Sequence, residues 1–518
     1  MLLHDRVMRA AEAFPDRPAL IVDDEITTFA QLDQRVSALA GAVRRRSRPG
    51  DRVAFIGDNG PEWIDAYYGV PRAGRVLGFV NHRLGPEPLR AAVERLRPAI
   101  LVAGRDQLDV LATLGPVAEL APVVVAIDRP GPGEQPYADL LAEAADARIE
   151  ATGEDAAEAG PHADDTAWLI ATSGTSGTPK VVELTHRNLI AAARGTIAVR
   201  GMPADDVYLF PFPLCHVAGY NVLIYHREAR PVVVARRFTP ASIIEQVATH
   251  RVTTMSLAPT MIHGLVDHLD EHGGGIDPLR LVTYGSSPIA PDLLARAIDA
   301  FDVDFSQGYG MTEMAGNGVF LSPEDHRRGL TTTPELLTAA GQVGPGVAVR
   351  LLDDAGDDVA SGAAGEIAVK GEQVMKGYWE APAVNAVAFH DGWFRTGDVG
   401  RFGPEGHLSV VDRKKDIIVS GGENVSSREV EDRLAAHPDV AEVAVVGAPD
   451  ERWGEVVCAY VVARPGTDLD APAVLAFGRT AIGGFQQPRR VELVDQLPRN
   501  GSGKVLKHQL RALAAEPL

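Results

Sequence analysis

The chain has 518 residues, 45% of them hydrophobic and 23% charged, and a formal net charge of −20. A length of this order needs more than one hydrophobic core, and the composition is that of an ordinary globular protein. The negative balance argues against nucleic acid or an anionic membrane as the main partner, but a local basic loop could still hold a small anionic ligand.

The first stretch, MLLHDRVMRAAEAFPDRPAL, has no long apolar segment and mixes acids with arginines. It predicts an amphipathic helix of the mature protein, not a signal segment. No apolar run reaches about 18 residues, so no membrane span is expected. Helical spacing of apolar residues follows in FAQLDQRVSALAGAVRRR and later in PDLLARAIDAF. Between such segments lie short apolar runs that read as strands: RVAFIGDN, AILVAG, PVVVAIDR and AWLI. This alternation predicts an α/β protein with largely parallel sheets. From about Val343 the texture becomes short strands and turns, GVAVRLLDDAGDDVASGAAGEIAVKG to GHLSVVDRKKD, a small β-rich part. A compact α/β segment of about 100 residues closes the chain, with SSREVEDRLAAH as a Ser-capped helix and EVVCAYVVAR as a strand. The charged run DRKKD between apolar strands places the boundary there, giving domains of 1–412 and 413–518. The two cysteines, Cys215 and Cys458, make neither a disulfide framework nor a zinc pattern, which fits a reducing cytosol and a cytoplasmic protein.

One stretch departs from this regularity. ATSGTSGTPK (171–180) follows a buried-strand pattern with glycines, hydroxyls, a proline and a lysine. Alone, such a run reads as a linker. It equally suits a phosphate loop, where glycines let N–H groups approach an anion, hydroxyls donate and lysine adds charge. It is not a Walker A loop, because only two residues separate Gly174 from Gly177 and a proline precedes Lys180.

Four further stretches accompany it in order: QGYGMTE (307–313), GWFRTGD (392–398), DRKKDIIVSGGENVSSREVE (412–431) and LPRNGSGK (497–504). Together the five resemble the AMP-forming acyl-adenylate family of acyl-CoA synthetases, luciferases and peptide-synthetase adenylation domains, and the resemblance runs along essentially the whole chain. It implies a large N-terminal domain of two α/β sheets plus a β-barrel-like part, joined by a hinge to a small mobile α/β C-terminal domain. It implies that a carboxylate attacks the α-phosphate of MgATP, and that a thiol, of CoA or of a carrier protein's phosphopantetheine, then takes the acyl group.

By the same resemblance, Thr172, Ser173, Gly174, Thr175, Ser176 and Lys180 match the loop that holds the β- and γ-phosphates. Gly285, Ser286 and Ser287 match the strand end framing adenine, and Tyr309 the ring stacked on it. Thr312 matches an α-phosphate contact, and Glu313, with Thr175, the magnesium site; a hard cation prefers such oxygen ligands. Asp398 matches the acid on the ribose hydroxyls, assisted by Arg413. Lys415 matches the hinge, and Lys504 the lysine bridging carboxylate and α-phosphate. His216 matches a position at the mouth of the acyl pocket and reads equally well as a core histidine. Leu214, Val217, Tyr220, Tyr284 and Met311 are expected to line an apolar pocket for a short or medium aliphatic acid.

The chain also departs from the family pattern. Val181 stands where glycine is usual, TYGSSP replaces a commoner Gly-Gly-Ala-Pro, and FQQPRR stands where a Tyr-Lys pair is frequent. The aspartate of amino-acid-activating relatives has no counterpart between Pro213 and Arg227. Arg489 and Arg490 are expected to replace the missing lysine toward CoA, beside an intact SGGEN and Trp453. Alternatives are an acyl-AMP ligase loading a carrier protein, and a non-catalytic adenylate-binding protein.

Overall fold

A computed structural model describes residues 1–146, 160–172, 180–450, 452–482, 484–499 and 505–515. The chain forms two compact units, one of 1–348 with 370–392 and one of 349–369 with 393–518.

The first unit holds two large sheets. In the nine-stranded one, Leu281–Gly285 lies parallel to both Thr254–Leu257 and Asp304–Met311, and Asp304–Met311 pairs antiparallel with Gly316–Leu321. In the eight-stranded one, Arg52–Ile56 runs parallel to Val76–Phe79 and Ile100–Ala103. Val76–Phe79 runs parallel to Thr166–Thr172, which pairs antiparallel with Lys180–Thr185. The alternation of apolar runs with helical segments thus resolves into parallel strands joined by helices. The helix Phe29–Arg46 carries a capping box in which Thr28 Oγ1 accepts from Gln31 N and Gln31 returns a bond to Thr28 N.

One helix, Pro61–Arg72, is buried on every side, through Trp63, Ile64, Tyr67, Tyr68 and Val70. It therefore cannot be a surface crossover. Its aromatic rings pack on the eight-stranded sheet, Trp63 against Phe55 (4.3 Å between centroids) and Tyr67 against Trp168 (4.7 Å). Its other contacts reach the segment before and within the helix Tyr220–Arg227, where Tyr67 Oη donates to Leu214 O and Tyr68 Oη meets His226 Nδ1 at 3.0 Å. Aromatic burial of this size is a dominant contribution to a core.

In the second unit, Gly365–Gly371, Trp393–Phe402 and Leu408–Arg413 form an antiparallel run. A further sheet pairs Val440–Asp450 with Gly454–Ala463, to which Arg490–Leu493 adds in parallel. Both its faces are covered. Val430, Leu434 and Val474 fill one side, and Leu497 and Leu510 pack with Tyr460 on the other. Among the described residues no helix is long and apolar enough to cross a membrane, and both cysteines are free and buried.

Candidate active site

The hairpin Thr166–Thr172/Lys180–Thr185 closes its ladder at Thr172 opposite Lys180. Thr172 Oγ1 donates to Lys180 O (3.2 Å), so both ends of the glycine-rich segment are held side by side. Ser173, Gly174, Thr175 and Ser176 lie outside the described residues, as does Lys504.

Two other strand ends carry the adenine-framing candidates. Leu281–Gly285 stops at Gly285, in register with Gly308, and Ser286 then adopts φ +72°, a left-handed turn that a non-glycine residue seldom takes. Ser286 and Ser287 are exposed. Tyr309 is half-buried on Asp304–Met311, just before a bulge opposite Val319 and Asn317. The chain continues into the single 3₁₀ turn Thr312–Met314, which presents Thr312 and Glu313.

That turn is clamped from one segment. Gln373 Nε2 donates to Met314 O and to Asn317 O (3.0 Å each), and Met375 N donates to Glu313 O (2.8 Å). Asn188 in turn holds the segment through Glu372 O and Val374 O (2.8 Å each). The segment then forms the short strand Gly377–Tyr378 beside Lys180–Thr185. Tyr378 Oη donates to Glu313 Oε1 (2.9 Å), and the Lys180 ammonium sits 4.7 Å from the centre of the Tyr378 ring. Burial and the adjacent Glu313 carboxylate raise the Tyr378 hydroxyl well above its ordinary range, which keeps it a donor. Sequence reading missed Tyr378, because a two-residue strand has no periodicity to detect.

The His216 loop is anchored by the buried Asn59. Its Nδ2 donates to Phe212 O (2.7 Å) and Ala235 O (2.8 Å), while Leu214 N donates to its Oδ1 (2.8 Å). His216, half-buried, precedes the 3₁₀ turn Val217–Gly219. Gly219 is required there, since a Cβ would overlap the Tyr67 hydroxyl. Val217 and Met311 are half-exposed, but the expected pocket loses three members. Leu214 is fully buried, Tyr220 is 2% exposed at the start of helix Tyr220–Arg227, and Tyr284 is 3% exposed in the core with Phe305. The physical reason for the last is polar: His326 Nδ1 donates to Ser322 O (2.7 Å), leaving Nε2 to accept from Tyr284 Oη (2.9 Å). Burial holds that imidazole neutral.

In the second unit Asp398 and Arg413 are cross-strand partners, with Arg413 Nε 3.5 Å from the Asp398 carboxylate. Asp398 is buried, and Gly397 before it takes φ +76° within the strand, accepting at its carbonyl from Lys414 N (2.8 Å). Asp412 accepts from Ser427 N (2.6 Å) and Ser427 Oγ (2.8 Å), at the start of helix Ser427–Ala435. A carboxylate there complements the helix dipole. Exposed Lys415 follows at once, its carbonyl held by Arg511 Nη2 (3.0 Å).

SGGEN forms a tight hairpin with Gly421 and Gly422 both at positive φ, which only glycine adopts freely. A Cβ on Gly421 would meet the Trp453 ring at 2.6 Å, so this turn lies directly on the indole. Arg489 is exposed, with its guanidinium 4.6 Å from the Trp453 ring centre. Arg490 behaves differently from its neighbour. It donates to Ala514 O (2.9 Å) and pairs with Glu492 (3.2 Å), so its charge is spent inside the fold. Gln486 is bound to Glu429 (3.0 Å) and Gln487 to Ile482 O (3.1 Å).

A model of the AMP-binding enzyme family matches residues 7–379, and one of the AMP-binding enzyme C-terminal domain matches 429–504. Over 507 residues the chain is 33% identical to feruloyl-CoA synthase of an Amycolatopsis species, covering 97% of each. It is 33% identical over 511 residues to the fatty acid–[acyl-carrier-protein] ligase ScoC of Streptomyces coeruleorubidus, covering 97% of this chain and 94% of ScoC. The o-succinylbenzoate coenzyme A synthetase MenE of Bacillus subtilis, solved in complex with ATP and magnesium ion, shares the fold with a TM-score of 0.84 and 29% identity over 98% of each chain.

Proposed function

Since the chain belongs to the AMP-binding enzyme family and is an AMP-forming ligase, we propose that it activates an apolar carboxylic acid as acyl-AMP and transfers the acyl group to the thiol of CoA. In the first half-reaction a carboxylate oxygen attacks the α-phosphorus of ATP and the bond to pyrophosphate breaks. In the second, the thiol sulfur attacks the acyl carbon, AMP leaves and the thiol proton is lost. The barrier of the first step is the meeting of two anions, so positioned cations and donors are what the protein must supply.

The observation that carries this reading is the convergence of Lys180, Tyr378 and Glu313 at the base of the glycine-rich hairpin. Lys180 supplies charge to the terminal phosphates together with Thr172, Ser173, Gly174, Thr175 and Ser176. Thr312 donates to the α-phosphate, and Gly285, Ser286, Ser287 and Tyr309 receive adenine. Asp398, positioned by Arg413, takes the ribose hydroxyls, Lys504 bridges carboxylate and α-phosphate, and His216 stands at the acyl mouth. Among the described residues no three His, Cys, Asp or Glu side chains cluster as a metal cage. One carboxylate with a free oxygen suits magnesium, which keeps waters and phosphate oxygens as its remaining ligands. Glu313, with Thr175, would hold that ion, which when bound neutralises phosphate charge. Lys415 serves as the pivot between domains 1–412 and 413–518, and the cytosol supplies the thiol.

The acid we assign is aliphatic, of short or medium length. The feruloyl-CoA synthase relative favours an aromatic acid as the second reading, and ScoC favours a carrier-protein thiol as the second acceptor. The test is acid-dependent pyrophosphate release over a panel of aliphatic and aromatic acids, followed by CoA or a phosphopantetheinylated carrier. Pyrophosphate release and acyl-CoA with an aliphatic acid support the assignment. No pyrophosphate with any acid would leave only nucleotide binding.

A further inference from the structure

Lys180 and Glu313 carry opposite charges and meet at Tyr378, yet among the described residues no ion pair joins them. Tyr378 contacts both: its hydroxyl bonds Glu313 Oε1 at 2.9 Å and its ring meets the Lys180 ammonium at 4.7 Å. The tyrosine is itself fixed. Tyr378 is 7% exposed, and the Asn385 carboxamide brackets its backbone, with Tyr378 N donating to Oδ1 (2.7 Å) and Nδ2 donating to Tyr378 O (2.9 Å). Its strand also pairs Tyr378 with Val182, two residues after the lysine.

We propose that Tyr378 is a positioning residue that holds Glu313 and Lys180 in place and apart, so that the carboxylate stays available to a metal ion and the ammonium to phosphate. The inference rests on the nucleotide-binding reading of Lys180 and Glu313. The chemistry follows from the two contacts. A carboxylate has lone pairs on both oxygens, so a donor on Oε1 sets the rotamer and leaves Oε2 open. A cation over an aromatic face is attracted without being neutralised, unlike a cation in a salt bridge. Removing the ring allows the long lysine side chain to close on Glu313, and each charge then blocks the other's ligand.

The two contacts separate experimentally. Tyr378→Phe keeps the ring and loses the hydroxyl, and Tyr378→Leu loses both. Binding of a non-hydrolysable ATP analogue is measured by calorimetry across a magnesium series, on the full chain, with thermal unfolding as the control for folding. Tyr378→Phe is expected to raise the magnesium concentration for half-maximal enhancement of binding about tenfold, the low end for one hydrogen bond to a charged group. Its magnesium-free affinity should stay within about twofold of the parent. Tyr378→Leu should weaken binding about tenfold even without magnesium, because the lysine is withdrawn. The double variant Tyr378→Phe with Glu313→Gln should match Glu313→Gln alone.

A normal magnesium response in Tyr378→Phe, beside an altered one in Glu313→Gln, overturns the proposal and leaves the nucleotide site standing. A normal response in Glu313→Gln together with normal analogue affinity in Lys180→Ala overturns the underlying reading, and the proposal with it. If Tyr378→Leu does not fold, the Tyr378→Phe comparison decides.

Discussion

Arg489 gives the sharpest test of the acceptor. Sequence alone offers two arginines for the phosphates of CoA, but the structure leaves one. Arg490 is tied to Glu492 and Ala514 O, whereas Arg489 is exposed over the Trp453 ring. The indole also lies beside the Gly421 turn, so charge, aromatic face and open backbone meet at one place in the second unit. For an exposed guanidinium 4–5 Å from a phosphate, Coulomb attraction in water is about 1 kcal/mol. Arg489→Ala should therefore raise the KM for CoA about fivefold at low salt, an effect that shrinks as salt is added. The KM for ATP should not move. Arg490→Ala should instead lower stability with little change in the KM for CoA. The assay is steady-state thioester formation with CoA and with 3′-dephospho-CoA. If Arg489 reads the 3′-phosphate, the variant should fail to distinguish the two thiols. Equal rises for CoA and ATP, or undiminished discrimination between the two thiols in the variant, would refute the assignment.

Two other outcomes follow from the same reasoning. Lys504→Ala should cripple pyrophosphate release while thioester formation from pre-made acyl-adenylate is much less affected, as single-turnover assays of each half-reaction would show; equal losses would remove the case for two working conformations. His226 donates from Nε2 to Ala19 O (2.9 Å) and accepts from Tyr68, and burial pushes it down from 6.5 to about 4. The unfolded chain therefore takes up a proton at His226 that the folded chain refuses, so the contribution of His226 to stability is full above about pH 6.5 and about 3 kcal/mol of it is lost as pH drops toward 4. Urea midpoints between pH 7 and 4.5 in the parent and in His226→Gln check this: the variant should lose part of the pH dependence.

How much was legible in advance depended on whether a residue's role is local. The helix Phe29–Arg46 coincides with its apolar spacing because capping and periodicity are both written in neighbouring residues. The strand end bearing Gly285 was likewise legible, through a short motif. What escaped were long-range polar choices. Tyr284 looked like pocket lining, but its hydroxyl is claimed by His326, 42 residues away. Arg490 looked like a free charge until Glu492 and the carbonyl of Ala514 took it. Tyr378 gained its role only when Gly377–Tyr378 was laid beside Lys180–Thr185, a pairing across nearly 200 residues. Periodicity carries no record of such partners.

The same pairing decides how Val181 bears on the loop. A valine where relatives usually carry glycine suggested a stiffened loop, but Val181 lies inside the strand, opposite Ala171, and its carbonyl accepts from Trp379 N (2.8 Å). Its side chain is 3% exposed, in the cluster that holds Leu169 and Trp379. Flexibility at this position would therefore loosen the strand that presents Lys180. Val181→Gly loses about 1.5–3 kcal/mol of side-chain burial and about 0.5–1 kcal/mol through backbone entropy. We expect roughly 3 kcal/mol of destabilisation, read as a lower urea midpoint, together with a higher KM for ATP, because Lys180 no longer sits at a fixed strand end. Val181→Ala should lose most of the same burial but keep the backbone restraint, so its KM for ATP should stay closer to that of the parent. If Val181→Gly instead matched the parent in stability and turned over faster, the valine would be a brake on loop motion and the strand-anchoring argument would be wrong.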